Sequence, residues 1–372
     1  MSKLILKRGA LSELGHELQC HFPAGNVAVF GDARVSDIVS EAAGILADSG
    51  FLVRELIIRG RTRADQYSEV LGLPEFIKCA VAVGCGRAFE LARELSAARE
   101  IPYVLIASAP ATDSFFISGE TPPLFILSDS DLNDAAPHAL IASGTGAVFS
   151  KYIAYFDLKF NEYITGRPSP LADKILSLLD TFESIKTESG YPDILMRTLF
   201  ELSKLSFEYD RERSSAEIFG SLVSDYFRIM RGEADFIAAY SLSSLYNSFL
   251  SVKAFDTLIP ADKIKSRKLL QKKCGVNFSE SVKTIDISPL KSYLKHTYIV
   301  NEYREDLRAL AASFDMAAKQ RFFRRLYDDA GFALKDKLTI KELLRLMSLS
   351  GEIAAGSFLG YLKSIGFLEA YI

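Results

Sequence analysis

The sequence predicts an α/β protein with an N-terminal Rossmann-like domain, built on a mainly parallel sheet, and an all-helical C-terminal domain. In the first part of the chain, short apolar runs alternate with segments of helical period, as in parallel sheets with both faces covered. After Asn133 the strand signals fade and helical periods continue. At 372 residues the chain also exceeds what one hydrophobic core usually organises. We therefore expect two domains, 1–142 and 143–372.

The individual elements follow from the spacing of apolar residues. Strands are expected at 27–30, 51–58, 81–83 and 103–107, with helices at 35–46, 66–71 and 89–98 between them. A short hairpin is expected to pair 114–119 with 124–127. Helices of the C-terminal domain are expected at 171–182, 193–207, 216–230, 235–252, 306–330 and 340–346. Pro168 and Pro170 mark the start of the first of these.

The turn Gly84-Cys85-Gly86 follows the apolar run 81–83 and precedes a helical segment. Strand, glycine turn and helix is the arrangement in which α/β proteins present backbone N–H groups to a phosphate. Gly84 and Gly86 carry no Cβ, so a diphosphate could approach the main chain closely. The third glycine of the dinucleotide fingerprint G-x-G-x-x-G would fall at Phe89. The motif is therefore incomplete, and a tight turn without a ligand is the alternative.

Two side chains near this turn have alternative interpretations. Asp32 closes the strand 27–30, where an acid either binds the ribose of a nucleotide or caps the following helix. Cys85 lies in a glycine turn before a helix N-terminus, a position that lowers the pKa of a thiol. A side chain at Cys85 is compatible with a bound diphosphate where its φ is negative and obstructs it otherwise.

The composition indicates an ordinary globular protein, with 49% hydrophobic and 24% charged residues and a net charge of −3. The basic residues are scattered, and the densest cluster, 263–273, is typical of a solvated helix face. Nucleic-acid binding is therefore not expected. The four cysteines form no C-x-x-C pair, and no apolar run is long enough for a membrane span or a signal peptide. These features predict a cytoplasmic protein without a membrane partner.

Several segments match, in order, the motifs of one known superfamily. Residues 84–93 match G-G-G-x-x-x-D-x-x-K with Cys, Glu and Arg at three positions, and 107–113 keep the closing Thr-Asp of P-T-x-x-S-T-D. The further matches are 126–137, 143–146, 214–217 (G-S-x-E) and 231–233 (H-G-E), with Lys151 and Asp157 at pattern positions. From Val27 to about Tyr240 the chain thus resembles the iron-containing alcohol dehydrogenase, glycerol dehydrogenase and 3-dehydroquinate synthase superfamily. It is most similar to the branch of glycerol and sn-glycerol-1-phosphate dehydrogenases.

This resemblance implies a dehydroquinate synthase-like fold that binds NAD or NADP. The cofactor-binding residues that it implies are Asp32, Gly84, Cys85, Gly86, Ser108 and Thr112. Asp113 would face the substrate, which the branch suggests is a small anionic polyol. Members of the superfamily commonly oligomerise, so a homo-oligomer is a further expectation by analogy.

The resemblance also implies that the metal ligands of this superfamily are replaced. In the dehydrogenases one Asp and two His hold a divalent metal, which polarises the substrate hydroxyl during hydride transfer. These three positions fall on Ala147, Ile218 and Arg231. Methyl and sec-butyl groups offer no lone pair, and a guanidinium stays charged. The four histidines, His16, His21, His138 and His296, are expected to be surface or structural residues. No metal is therefore expected.

Three functional hypotheses follow. The first is a degenerate dehydrogenase-like protein that keeps the fold and nucleotide binding without the metal-dependent redox step. The second is a metal-independent, NAD(P)-dependent enzyme acting on a phosphorylated or carboxylated polyol or cyclitol. Arg231 would then act as electrophile and Asp113 or Glu217 as acid/base, with Tyr152 and Tyr155 as further hydroxyls. The third is a structural or regulatory partner of an active paralogue, with a filled cleft in which Arg231 forms a salt bridge with Asp113, Glu217 or Glu233.

Overall fold

A computed structural model describes residues 2–22, 25–186, 189–209, 213–251, 291–327, 339–354 and 356–368. The chain divides into two compact units. The first contains residues 1–144 and 181–211, and the second contains 145–180 and 212–372. The predicted basic cluster 263–273, the fourth cysteine Cys274 and the last residues of the predicted helix 306–330 lie outside the described residues.

The first unit is built on a six-stranded sheet whose strand order is β1-β6-β5-β4-β2-β3. Each pair of neighbouring strands is parallel. The strands are β1 (Lys3–Lys7), β2 (Asn26–Asp32), β3 (Leu52–Ile58), β4 (Cys79–Gly84), β5 (Tyr103–Ala107) and β6 (Phe125–Asp129). Because all six run the same way, their carboxyl ends meet at one edge, where open α/β sheets bind ligands.

The four predicted strands are present as β2, β3, β4 and β5. β4 and β5 are buried along their whole length, as their continuous apolar sequences require. β3 lies at one edge of the sheet, and its residues are exposed or partly buried except for Ile58, which is buried. The parallel sheet of the fold-class prediction is thus confirmed.

Two features of the sheet differ from prediction. The expected hairpin between 114–119 and 124–127 is wrong, because β6 pairs in parallel with β5 and β1 and 114–119 forms turns. Phe115 and Phe116 are buried by aromatic packing instead: Phe115 contacts Phe89 and Phe200 with ring centroids 5.7 and 6.2 Å apart. β1 was not anticipated, and its five residues, KLILK, are defined by pairing with β6.

Helices cover both faces of the sheet in the manner predicted for parallel strands. Those of the first unit are α1 (Leu14–His21), α2 (Ser36–Asp48), α3 (Arg63–Leu71), α4 (Arg87–Arg99), α5 (Ser130–Asp134) and α8 (Tyr191–Glu208). α2 contributes Val39, Ala42 and Leu46 to a fully buried core that also contains alternate residues of β2 and β4. α8 packs against α5 and β1. Residues 181–211 therefore belong with the sheet, which differs from the predicted division that placed everything after 142 in the helical domain.

The described part of the second unit is helical. Its elements are α6 (His138–Thr165, which begins in the first unit), α7 (Pro170–Ile185), α9 (Ser215–Phe227), α10 (Arg231–Ser251), α11 (Lys291–Glu302), α12 (Arg304–Ser313), α13 (Met316–Tyr327), α14 (Ile340–Ile353) and α15 (Phe358–Ser364). The predicted helix 306–330 is split into α12 and α13, since Asp315 has a φ of 40° that interrupts the helix. α9 ends at Phe227 because Arg228 has a φ of 55°. No described helix is both long and apolar enough to cross a bilayer.

Aromatic side chains fill the core of the second unit. Phe358 lies at the centre, with Phe156, Tyr246 and Phe160 at ring-centroid distances of 5.2, 4.9 and 5.1 Å. Such edge-on contacts add to the free energy of burial. This core fixes α6, α10 and α15 against one another, and these helices carry the polar groups described below.

Candidate functional site

The carboxyl edge of the sheet brings together several of the predicted nucleotide-binding residues. β4 lies between β2 and β5, so Asp32, the glycine turn and Ser108 end three neighbouring strands. The backbone N–H of Ser108 donates to the carbonyl of Gly84 over 3.0 Å, which ties the end of β5 to that of β4. These positions surround the site where a dinucleotide lies in related open sheets.

The glycine turn has the open geometry that a phosphate requires. Gly84 and Gly86 have φ values of 137° and 43°, which side chains rarely adopt. Gly86 immediately precedes α4, and a Cβ built on it would meet no atom within 4 Å. Cys85 is absent from the described residues with positive φ, so the obstruction expected for a positive φ does not arise at this position. The turn therefore leaves open space where a side chain at Gly86 would lie, immediately before α4.

The environment of Cys85 corrects the expectation of a lowered pKa. Burial raises the pKa of this thiol to about 11, and the nearby negative charge of Asp32 acts in the same direction. Arg34 opposes both effects but does not outweigh them. A thiol with so high a pKa is protonated at neutral pH and is a poor nucleophile.

We expect Cys85 to react with iodoacetamide roughly 100-fold more slowly than an exposed cysteine at pH 8, because only about one thiol in a thousand is ionised there. Cys20 is exposed and serves as the internal control. Peptide mass spectrometry after timed alkylation gives both rates in one sample. The rate at Cys85 should climb with pH up to about 11. Equal rates at Cys20 and Cys85 at pH 8 would contradict the raised pKa.

Asp32 caps the turn that follows β2, which is one of the two roles expected for it, and each of its carboxylate oxygens has a contact. Its Oδ1 accepts from the backbone N–H of Arg34 at 2.7 Å and caps a short 3-10 turn. Its Oδ2 lies 3.2 Å from Nη2 of the same arginine. The carboxyl group remains about half exposed, so these contacts leave it accessible to a ribose hydroxyl.

Thr112 and Asp113 lie on the loop that follows β5. Thr112 Oγ1 accepts from the N–H of Ser114 at 3.1 Å, and the buried Arg93 donates through Nη1 to the Ser114 carbonyl at 2.8 Å. Arg93 Nε also lies 3.0 Å from Glu120 Oε2. Arg93, which stands at the position of the motif lysine, thus holds this loop through Ser114 and Glu120. Thr112 and Asp113 are both partly exposed.

In the second unit, Glu217 is bound into the start of α9. Ser214 and Glu217 form a capping box: the Ser214 N–H donates to Glu217 Oε2 at 2.7 Å, and the Glu217 N–H donates to Ser214 Oγ at 3.3 Å. Glu217 Oε1 forms an ion pair with Lys151, which is 2% exposed. The residues 214–217 that match G-S-x-E therefore form a helix cap in this chain, and Glu217 adds a buried ion pair.

Asp157 joins three elements of the second unit. Its Oδ2 accepts from both the N–H and the hydroxyl of Ser215, at 2.9 and 2.7 Å, and its Oδ1 accepts from the N–H of Phe358 at 3.3 Å. The Ser215 hydroxyl lies 3.0 Å from that of Tyr246. Burial and the charge of Asp157 hold the pKa of Tyr246 well above its ordinary value. Asp157, which matches the superfamily pattern, thus accepts hydrogen bonds that hold α6, α9 and α15 together.

Arg231 is held by three hydrogen-bond acceptors of its own unit. Nε lies 2.8 Å from Asp235 Oδ1, Nη1 lies 3.0 Å from Ser221 Oγ, and Nη2 lies 2.6 Å from the Glu217 carbonyl. The guanidinium therefore links α9 to α10. Its side chain is 42% exposed. The structure pairs Arg231 with Asp235, a carboxylate one helical turn further along α10 that was not anticipated from the sequence.

The other two positions that the resemblance assigns to metal ligands have no donor atom. Ala147 is buried, and Ile218 is partly buried on α9. Among the residues that the structure describes, no three His, Cys, Asp or Glu side chains form a group that could hold a metal ion. His296 contacts the ring of Phe160 edge-on at 6.4 Å. The side chains at these positions do not fit a divalent cation.

Tyr152 and Tyr155, proposed as further hydroxyls, pack against Phe314 with ring centroids 5.4 and 6.3 Å away. Lys319 Nζ lies 4.1 Å from the ring centroid of Tyr152, in a cation–π contact. Burial raises the pKa of Tyr155. Both rings thus contribute to the packing of α6 against neighbouring helices.

Comparison with known proteins supports the resemblance found in the sequence. No family model matches the chain. The chain is 26% identical, over 201 residues, to the glycerol-1-phosphate dehydrogenase (NAD(P)+) of Bacillus subtilis strain 168, an alignment that covers 48% of this chain and 47% of the relative. The chain spans about half the length of the curated relatives that it matches.

Solved structures of the same superfamily have a similar fold over nearly the whole chain. The glycerol dehydrogenase of Schizosaccharomyces pombe superimposes with a TM-score of 0.55 at 14% identity, covering 89% of this chain and 92% of that one. An iron-containing alcohol dehydrogenase superimposes with a TM-score of 0.58 at 9% identity, covering 98% and 97%. The predicted resemblance and the dehydroquinate synthase-like fold are confirmed.

Proposed function

We propose that this chain is a glycerol-1-phosphate dehydrogenase-like protein that binds NAD(P) but does not carry out metal-dependent hydride transfer. The observation that carries the proposal is a contrast between the two units. The carboxyl edge of the sheet keeps an open glycine turn beside Asp32, whereas Ala147, Ile218 and Arg231 provide no metal ligand.

Nucleotide binding is supported by the shape of the turn. The absence of any atom near a Cβ at Gly86 leaves the main chain open to a diphosphate, and the N-terminus of α4 supplies backbone N–H groups and a partial positive charge. Cys85 adds a neutral thiol, because its pKa of about 11 keeps the proton on the sulfur. A neutral side chain does not repel a diphosphate. The names of the relatives, which include NAD(P)+, point to the same ligand class.

The loss of the redox step is supported by the contacts of the second unit. A divalent metal supplies the charge that stabilises a developing alkoxide. Here the nearby carboxylate Glu217 is ion-paired with Lys151, and Asp235 is ion-paired with Arg231. Arg231 already donates to three acceptors, which favours a linking role over that of an electrophile in a metal-independent enzyme. A homo-oligomer and a role beside an active paralogue stay predictions.

The experiment is calorimetric titration with NADH and NADPH, in EDTA and in added Zn²⁺, for the wild-type chain and a Gly86→Ala variant. We expect the wild-type chain to bind at least one cofactor equally well in both buffers. Gly86→Ala places a methyl group in the open space and should weaken binding at least tenfold, because the diphosphate loses its approach to the main chain. In a separate assay with NAD⁺ and NADP⁺ as hydride acceptors, sn-glycerol-1-phosphate should not be oxidised in either buffer.

Gly50→Ala is the matched control. Gly50 has a φ of 89° and, like Gly86, has no atom within 4 Å of an added Cβ. Both substitutions should therefore cost about 1–2 kcal/mol of backbone strain, but only Gly86→Ala should affect cofactor affinity. Absence of binding by either cofactor would refute the nucleotide part of the proposal. Zinc-dependent binding, or zinc-dependent oxidation of the substrate, would refute the loss of the metal site.

A further inference from the structure

Arginines are concentrated where β2 and β3 end, a feature that sequence reasoning missed. Asp32 pairs with Ile58 in the parallel register, so both strands finish side by side. Arg34 follows β2, and the segment RGRTR (59–63) follows β3. The sequence signal was available, because three arginines in five residues directly follow a predicted strand. The side chains of Arg34, Arg59 and Arg61 are exposed, and we refer to these three residues as the arginine rim.

The segment behind the arginine rim is fixed by its own hydrogen bonds. The Arg59 N–H donates to Glu69 Oε2 at 2.8 Å, and Gln66 Nε2 donates to the Gly60 carbonyl at 3.0 Å. Thr62 forms a capping box with Asp65 at the start of α3. Gly60 has no room for a Cβ, which would come within 2.6 Å of the Gln66 nitrogen. The backbone that carries Arg59 and Arg61 is thus held in one conformation.

The same segment is tied to the glycine turn. Arg87, which directly follows Gly86, donates through Nη2 to the Arg63 carbonyl at 3.1 Å and through Nε to Gln66 Oε1 at 3.2 Å. Asp32 and Arg34, which end and follow the neighbouring strand β2, both act electrostatically on Cys85 in the turn. The arginine rim therefore lies beside the candidate diphosphate site, on the side of β2 and β3.

The carboxylates of this region are engaged by neighbours. Asp32 Oδ2 lies 3.2 Å from Arg34 Nη2, and Glu69 accepts from the Arg59 backbone. Asp65 accepts from Thr62, whose hydroxyl and N–H lower the pKa of that carboxyl. An acid at the end of this strand ordinarily selects NAD, since its charge repels a phosphate on the ribose and its oxygens bind the free hydroxyl. Here a guanidinium is paired with that acid and reduces the repulsion.

Resting on the function proposed above, we infer that the arginine rim binds the 2′-phosphate of NADP(H) and makes this chain selective for the phosphorylated cofactor. Guanidinium groups match phosphate oxygens in shape and charge and form the stronger, charge-assisted class of hydrogen bond. Arg34 contacts the phosphate from the end of β2, and Arg59 and Arg61 contact it from the end of β3. Asp32 remains the cap of its turn and takes no part in excluding NADP(H).

The test is calorimetric titration of NADPH, NADH and inorganic phosphate into the wild-type chain and an Arg34→Gln/Arg61→Gln double variant. We expect the wild-type chain to bind NADPH at least tenfold more tightly than NADH at low salt. The double variant should lose about tenfold or more in NADPH affinity, since each substitution removes a charge-assisted hydrogen bond, and should keep its NADH affinity. Added salt should weaken NADPH binding more than NADH binding.

Arg8→Gln is the matched control, because Arg8 is also exposed and ion-paired to carboxylates but follows β1, at the far edge of the sheet. It should leave both affinities unchanged, and circular dichroism should show that all variants keep the wild-type fold. NADH binding without preference for NADPH, or equal loss of both cofactors in the double variant, would overturn this inference alone. Loss of phosphate binding without loss of NADPH binding would identify a free-anion site and would also overturn it. No binding of either dinucleotide would refute the proposed function itself.

Discussion

Lys151→Met is expected to destabilise the second unit by about 3–5 kcal/mol, because it leaves the charge of a buried glutamate without its cation. Lys151 and Glu217 are 2% and 10% exposed in their side chains and form an ion pair. Methionine retains most of the length and apolar volume of the lysine chain, so the loss is electrostatic and not a cavity effect. Glu217 also caps α9, so the unpaired charge weakens the element that carries it.

The measurement is urea unfolding followed by far-UV circular dichroism, with hydrogen exchange on peptides of α6 and α9 to locate the loss. The double variant Lys151→Met/Glu217→Gln provides the control. A glutamine oxygen still accepts from the Ser214 N–H, so the capping box survives while both charges are removed. We expect the double variant to be more stable than Lys151→Met alone. A single variant within about 1 kcal/mol of wild type would show that the pair is solvated like a surface ion pair.

This ion pair also bears on function. A general acid or base must be able to exchange a proton with a substrate. Glu217 has one oxygen on Lys151 and the other on the Ser214 N–H, so both are engaged within the protein. If Lys151→Met is as costly as expected, the assignment of Glu217 to an acid/base role, which stays a prediction of the sequence, loses its main support.

The strands that were predicted correctly are those whose sequence alone requires burial. β4 and β5 consist of continuous apolar residues, and such runs have no stable place outside a covered sheet. β1 has lysine at both ends and three apolar residues between them. It becomes a strand by pairing with β6, about 120 positions further along the chain, and local periodicity contains no information on that contact.

At the site, too, features that depend on neighbouring residues could be predicted, whereas features that depend on residues distant in the sequence could not. The positive φ values of Gly84 and Gly86 follow from a local turn and could be expected from the sequence. The pKa of Cys85 depends on burial and on Asp32, which lies on another strand. The helix N-terminus suggested a lowered pKa, whereas these tertiary contacts raise it. The contacts of Arg231 also depend on distant residues, because its partner Ser221 belongs to a different helix.

Gly146→Ala is the other substitution with a large expected effect. A Cβ on Gly146 would lie 2.0 Å from the carbonyl oxygen of Gly232 and 2.8 Å from its carbon, so the backbones of α6 and α10 would have to separate. Overpacking of this kind costs about 1–3 kcal/mol, and the upper end applies because neither backbone atom can rotate away. Alanine regains up to about 1 kcal/mol of helix propensity. We expect a net loss of about 2 kcal/mol in the free energy of unfolding.

Gly44→Ala separates packing from propensity. Gly44 lies within α2 and has no atom within 4 Å of an added Cβ, so this variant should be stabilised by about 0.5–1 kcal/mol. Urea unfolding compares both variants, and hydrogen exchange should place the loss in α6 and α10 for Gly146→Ala alone. A stabilised Gly146→Ala variant would mean that the two helices do not touch there. Ala147 follows Gly146 and Arg231 precedes Gly232, so that result would also show that the backbone beside these two positions is less closely packed than the structure has it.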